Sequence, residues 1–474
     1  MRRCLTMLLL AAGAVAQSKP ALDPALLPLA AAYAAKVTAS AIFVSGRTVE
    51  SVLAEELAPD APLEAGIRLL LKLEVDEDER TVRARIGKAE AVVVTTRNLG
   101  CTLAVDPEQA AALAERGIPE LAGLRAPDEA VDFPAGERIP PLPDQPGIDV
   151  EAVRRAVRDA FLEPKRRATR RTRAVVVVHA GRLVEERYAD GYDAAMPLPG
   201  WSMSKTIAGL LVGLRAHEGK LDLQQAPGTV DWPTGDERRA IRLHHLLSMT
   251  SGLAWNESYS DPDSTALRML FGSADSGAAA AAAAKQSAPG NEFRYSSGST
   301  NLLCREFRAT FADARESWSY ARDRLFAPLG MRRAVLETDA AGNLVGSSFG
   351  FATARDWARL GMLFVGDNAG GRVVSPEVIA AMCAPAPGTD GRYGRQLWLN
   401  VDPDGEGPRS RPWPGLPTDA VALLGFQGQY VYALPSLRVV VVRLGCTKSG
   451  EDGALALAAA VAAAVSAPSG VSDR

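Results

Sequence analysis

The chain has 474 residues, 47% of them hydrophobic and 23% charged, with a formal net charge of −3. That length allows two or three domains, and that apolar fraction allows a sizeable core. A near-neutral chain without a long basic run lacks the concentrated positive patch that phosphate backbones require, so nucleic acid is not an expected partner.

The first sixteen residues have the layout of a secretory signal. Arg2 and Arg3 open it, Leu5 to Ala12 form an apolar run, and Ala14-Val15-Ala16 fits a small-x-small cleavage site. The mature chain is then expected to start near Gln17, in the periplasm or outside the cell. The arginine pair leaves the twin-arginine route open. No other run reaches the ~20 apolar residues of a membrane helix, so no integral membrane segment is expected after signal removal.

Residues 17–135 are predicted as an accessory α+β region. Ala41–Val44 is a short apolar run closed by Gly46, and Thr48–Leu57 reads as helix. Ile67–Val75 alternates with period two, and Thr81–Ile86 and Ala91–Thr96 read as further strands. Pro140-Pro141 and Pro143 mark a linker over 136–148. Asp149 then caps a helix whose apolar stripe is Val150, Val153, Val157 and Phe161. Lys165, Arg166, Arg167, Arg170, Arg171 and Arg173 read as a solvated strand entrance.

A second, larger domain is expected over 149–466, with a loose tail at 467–474. Ala174–His179 and Arg182–Tyr188 form one predicted hairpin, Tyr430–Leu434 and Arg438–Leu444 a second, and Ala454–Ser466 a closing helix. Hairpins near both ends suggest one antiparallel sheet flanked by N- and C-terminal helices, with a mostly helical insertion between. The alanine tract 278–284 suits such a helix. Cys101, Cys304, Cys383 and Cys446 read as small buried apolar residues, with an unpairable disulfide as the alternative. His179, His217, His244 and His245 fall at no metal-ligand spacing, so neither metal nor cofactor is expected.

The chemistry concentrates in Trp201-Ser202-Met203-Ser204-Lys205-Thr206. Apolar spacing predicts a helix from about Ser202 to His217. Ser202 then sits at the helix N-terminus, where free N–H groups favour negative charge. Lys205 lies one turn on, on the same face. Burial lowers a lysine's pKa, and a Ser-Lys pair can generate an alkoxide without histidine.

With these residues in order, the chain resembles the class C β-lactamase-like serine hydrolases, a family that includes D,D-peptidases, family VIII esterases and 6-aminohexanoate-dimer hydrolases. Ser202–Lys205 matches its Ser-x-x-Lys element, and Tyr295-Ser296-Ser297 matches Tyr-x-Asn with Ser297 in place of Asn. Phe426-Gln427-Gly428-Gln429 matches the third, Lys-Thr-Gly or His-x-Gly, element. The resemblance implies a catalytic set of Ser202, Lys205 and Tyr295, with Tyr295 held near its phenolate. It implies an oxyanion hole from the backbone of Ser202 and Gln429, and substrate contacts at Ser297, Gln427 and Gly428. Phe426 replaces a cationic lysine, which favours a neutral small-molecule ester or amide over a lactam. Trp255, Asn256, Tyr259 and Trp398 are further candidates for the lining.

Two rivals remain at this stage. Gly346-Ser347-Ser348-Phe349-Gly350 formally matches a nucleophile elbow, but no histidine follows His245 to complete an α/β-hydrolase triad. A penicillin-binding-like sensor or scaffold without turnover is the second, and a true β-lactamase or D,D-peptidase is kept as an alternative use of the same site.

Overall fold

The computed structural model describes residues 24–465, apart from 60–61, 119–128, 142–146, 165–169, 262, 368–372 and 403–410. The expected signal at 1–16, residues 142–146 of the expected linker, Lys165 to Arg167 of the basic cluster and the tail at 467–474 lie outside the described residues.

The chain begins with helix α1 (Leu27–Phe43), α2 (Val49–Ala54) and α3 (Pro62–Leu70). Ala41–Val44 closes α1 instead of standing alone, because the alanine-rich stretch before it favours helix. Thr48 caps α2, its hydroxyl accepting from the Ser51 amide at 3.2 Å. The alternation at 67–75 begins as the end of α3 and becomes strand at β1 (Leu71–Asp76). With β2 (Thr81–Ile86), β3 (Ala89–Thr96) and β4 (Gly100–Ala104) it forms a four-stranded antiparallel meander. Helix α4 (Ala110–Ala114) follows it, and α1 packs across β2, β3 and β4.

Helix α5 (Val150–Ala160) is capped by Asp149, which accepts from the Ala152 amide at 2.9 Å. Strands β5 (Thr172–His179) and β6 (Arg182–Tyr188) follow, then β7 (Leu198–Pro199) and α6 (Ser204–His217). The helical insertion comprises α7 (Leu243–Leu247), α8 (Thr265–Gly272), α9 (Ser276–Ala281), α10 (Ser297–Ala309) and α11 (Ala314–Ala321). Strands β8 (Val335–Leu336) and β9 (Gly350–Ala352) lead to α12 (Ala354–Val365) and α13 (Pro376–Cys383). The chain returns through β10 (Trp398–Leu399), β11 (Val421–Gly425), β12 (Gln429–Leu434), β13 (Val439–Gly445) and α14 (Ala454–Ala463).

The central sheet has six strands in the order β10-β11-β12-β13-β5-β6. It is antiparallel and assembled from both ends of the domain, with Val440 opposite Val178 and Val442 opposite Val176. Both faces are covered. Val175, Val177, Val439 and Val441 pack under α5 and α14, while Val176, Val178, Val440 and Val442 face α12 and the helical insertion. Double burial explains why β5 and β13 read as unbroken valine runs, whereas a sheet with one wet face would alternate.

The N-terminal region shares the larger of these cores, since Ala31, Ala35, Val82 and Cys101 belong to the same apolar cluster as Ile207, Leu302 and Trp357. A buried ion pair joins Lys36 of α1 to Glu337, to which Ser40 also donates at 2.9 Å and the Cys101 amide at 2.7 Å. Cys101, Cys304 and Cys446 are buried and Cys383 half-buried, all four as free thiols.

Candidate active site

Strand β7 pairs with β9, and the Gly200 amide donates to the Gly350 carbonyl at 2.8 Å. A side chain at Gly200 would run into the Trp357 ring, so glycine is needed there. Trp201 then takes a left-handed backbone, φ 48°, and opens a 3-10 turn over Trp201–Met203. The expected helix therefore starts as this turn and becomes α-helical at Ser204, whose hydroxyl donates to the Trp201 carbonyl at 2.7 Å. Ser202 is left half-buried on the outer side of the turn.

Lys205, one turn on, is 1% exposed. Its Nζ stands 2.9 Å from Ser202 Oγ, 3.0 Å from Ser297 Oγ and 3.0 Å from the Ser347 carbonyl oxygen. Burial pulls its pKa down to about 8, against the opposing charge of Glu257.

Tyr295 lies just before α10. Its ring centroid is 4.8 Å from Lys205 Nζ, and its hydroxyl lies on the side of Ser202 and Trp398. Burial, and next the charge of Glu257, hold the phenol well above its usual range. Burial thus favours the neutral phenol over the near-phenolate that the resemblance implies.

Ser297 is fully buried at the start of α10. It accepts from Lys205 and donates its own proton to Glu257 Oε1, so it is an acceptor toward the lysine. Glu257 is the residue that sequence reasoning passed over, although Trp255, Asn256 and Tyr259 around it were singled out. Its Oε2 accepts from the Ser297 amide at 2.9 Å and from Trp255 Nε1 at 2.5 Å, and its Oε1 is 3.8 Å from Lys205 Nζ. Asn256 braces the same loop by donating to Asp261 at 2.8 Å.

The third element forms the turn between β11 and β12, with φ 62° at Gln427 and 81° at Gly428. The Gly428 carbonyl accepts from buried Arg443 at 2.5 Å, and Gln427 is buried with its carbonyl accepting from the Thr447 amide at 2.9 Å. Gln429 opens β12, an inner strand, and its side chain bridges Gly445 and its own turn. Hydrogen bonds of Gln427, Gly428 and Gln429 thus hold the turn, with a strand on each side of Gln429.

The part of the turn that packs against the Gly200–Trp201 segment is earlier. A side chain on Gly425 would strike the Gly200 carbonyl oxygen, and the Phe426 ring stands edge-on to Trp201 at 5.4 Å. Tyr259 stacks on Phe426 at 4.7 Å, and Trp398 lies against Tyr295 at 5.3 Å, so aromatic rings line both flanks. Among the described residues, the amides of Ser202 and Phe426 donate to no protein acceptor.

The rival motifs are placed elsewhere. Ser348 is buried with its hydroxyl against that of Ser347 at 2.9 Å, and it is the Ser347 carbonyl that serves Lys205. His245 Nδ1 caps α7 by accepting from the Arg242 amide at 3.0 Å, and His244 Nδ1 meets the Leu223 carbonyl at 3.2 Å.

The family model described as Beta-lactamase matches residues 157–466. The chain belongs to the β-lactamase family. A 6-aminohexanoate-dimer hydrolase of Paenarthrobacter ureafaciens is 28% identical over 331 residues, 65% of this chain and 80% of that protein. Among solved structures, a candidate β-lactamase of Bacteroides dorei superposes with a TM-score of 0.50 at 17% identity, covering 67% of this chain and 99% of that one. A penicillin-binding protein homologue of Caulobacter crescentus reaches 0.49 at 20% identity, over 67% and 97%. The antiparallel sheet with its helical insertion is the β-lactamase fold, and residues 24–149 precede the family match.

Proposed function

We propose that this β-lactamase-family protein is a serine hydrolase that cleaves a small ester or amide through an acyl-enzyme on Ser202. The observation that carries this reading is a buried amine at a half-buried hydroxyl: Lys205 Nζ lies 2.9 Å from Ser202 Oγ, with the Tyr295 ring centroid 4.8 Å from the same Nζ. In this reading neutral Lys205 takes the Ser202 proton as Oγ attacks the carbonyl carbon. Tyr295, protonated at rest, passes a proton to the departing alkoxide or amine and is refilled from Lys205. Water then attacks the acyl group, with the same pair working in reverse. The free amides of Ser202 and Phe426 supply the oxyanion hole.

Phe426, Tyr259 and Trp398 present apolar faces where a lactamase would present a cation, which suits a neutral acyl chain. The named Paenarthrobacter relative is a hydrolase of an amide dimer, in keeping with that choice.

The test is hydrolysis of p-nitrophenyl acetate together with labelling by a fluorophosphonate. Wild type is expected to do both and Ser202→Ala neither. Full activity in Ser202→Ala would move the nucleophile elsewhere, and an inert wild type would favour a sensor or scaffold.

A further inference from the structure

A neutral amine has two hydrogens and one lone pair, and the surroundings of Lys205 sort them. The Ser347 carbonyl can only accept. The Ser297 hydroxyl has a single proton, and that proton goes to Glu257, leaving its oxygen only an acceptor toward Lys205. The two amine hydrogens are thereby consumed at 3.0 Å on each side. The lone pair faces the remaining neighbour, Ser202 Oγ at 2.9 Å. Glu257 is itself held by the Ser297 amide and the Trp255 indole, so it cannot swing away to release the hydroxyl.

We propose that Glu257 is a positioning residue which, through the Ser297 hydroxyl, aims the Lys205 lone pair at Ser202 and sets the charge balance of the amine. The proposal rests on the reading of Ser202 as nucleophile. Without Glu257 the Ser297 proton is free to turn toward Lys205 and occupy the lone pair that Ser202 needs. The carboxylate also favours the ammonium from 3.8 Å, opposing the effect of burial. The other ionisable groups near the pair are phenols: Tyr295 over Lys205, with Tyr259 and Tyr393 toward Glu257, all kept neutral by burial.

The experiment measures kcat and KM for p-nitrophenyl acetate from pH 5.5 to 10 with full-length wild type, Glu257→Gln, Ser297→Ala and Ser202→Ala. Loss of the carboxylate charge is expected to move the acidic limb of kcat/KM down by about one unit or more. The plateau of kcat is expected to fall about 10-fold or more with KM within about 2-fold, as for lost orientation of a base. Ser297→Ala removes one oxygen atom and keeps the charge, so it should lower the plateau while leaving the limb near its wild-type position. A Glu257→Gln variant with a lower melting temperature but an unmoved limb and plateau would overturn the proposal, as would a Ser297→Ala variant with a wild-type plateau. Loss of activity in Ser202→Ala alongside either result would sink this inference alone, whereas retained activity in Ser202→Ala would sink the reading of function beneath it.

Discussion

Lys205 sits at the balance point of the site. It is enclosed like a core residue yet carries three polar partners, and burial brings its pKa to about 8. As the base it must be neutral to work, so kcat/KM is expected to rise with pH and level off once pH passes about 8; a pH profile flat from 6 to 9 would contradict this. Lys205→Ala and Tyr295→Phe are each expected to lower kcat by about 100-fold or more, measured by ester turnover. Ser202, Lys205 and Tyr295 were legible because their motifs keep order and spacing. Glu257 was not, because nothing in Trp255-Asn256-Glu257 signals a partner 40 residues away; only the folded loop brings it under Ser297. Gln429 came from a short motif, which fixes position only to within a few residues, and the turn residue whose ring meets Trp201 is Phe426.

At the scale of elements, hairpins and capped helices were read well from sequence. Asp149 before α5 and the valine runs of β5 and β13 carry their own local signals. The small strands β7, β8 and β9 and the 3-10 turn at Trp201 were not read, since two- and three-residue elements are dictated by their neighbours. The turn itself is sensitive to single atoms. Gly425→Ala would push a methyl into the Gly200 carbonyl, so activity is expected to drop at least 10-fold while the far-UV spectrum stays native. Helix α7 makes a pH prediction. The His245 pKa is lowered from its usual 6.5 to about 4 by burial and by the neighbouring charges of His244 and Arg242. A folded-state pKa below the unfolded value means stability that is full above pH 6.5 and is lost as pH falls toward 4. Protonation there also removes the acceptor that caps the helix at Arg242. Melting temperatures are expected to fall over that window, and less steeply in His245→Gln, which keeps an acceptor and does not titrate.

For the whole molecule, the sequence suggested a separate N-terminal region, and the structure joins it to the rest through a continuous core and the buried Lys36–Glu337 pair. Glu337 also anchors the segment bearing Ser347, through bonds from its amide to the Phe349 carbonyl at 3.0 Å and from the Val345 amide to its own carbonyl at 2.9 Å. Sequence patterning could not reveal this link, because its partners lie 301 residues apart. Lys36→Met leaves a buried carboxylate unpaired and is expected to cost about 3–5 kcal/mol in urea unfolding. Adding Glu337→Gln should recover part of that loss, and full additivity of the two losses would contradict a coupled pair. The helical stretch Pro24–Phe43 is long and apolar enough to cross a membrane by composition, which corrects the expectation that no run after the first reaches that length, and half of its apolar window is buried within the protein.

The account depends above all on a covalent bond to one hydroxyl. Rapid acid quenching during turnover of a p-nitrophenyl ester, followed by peptide mapping in a mass spectrometer, reads that bond directly. An acyl mass on the peptide carrying Ser202, absent in Ser202→Ala, is the predicted result. Steady turnover with the acyl mass on a different residue would contradict it.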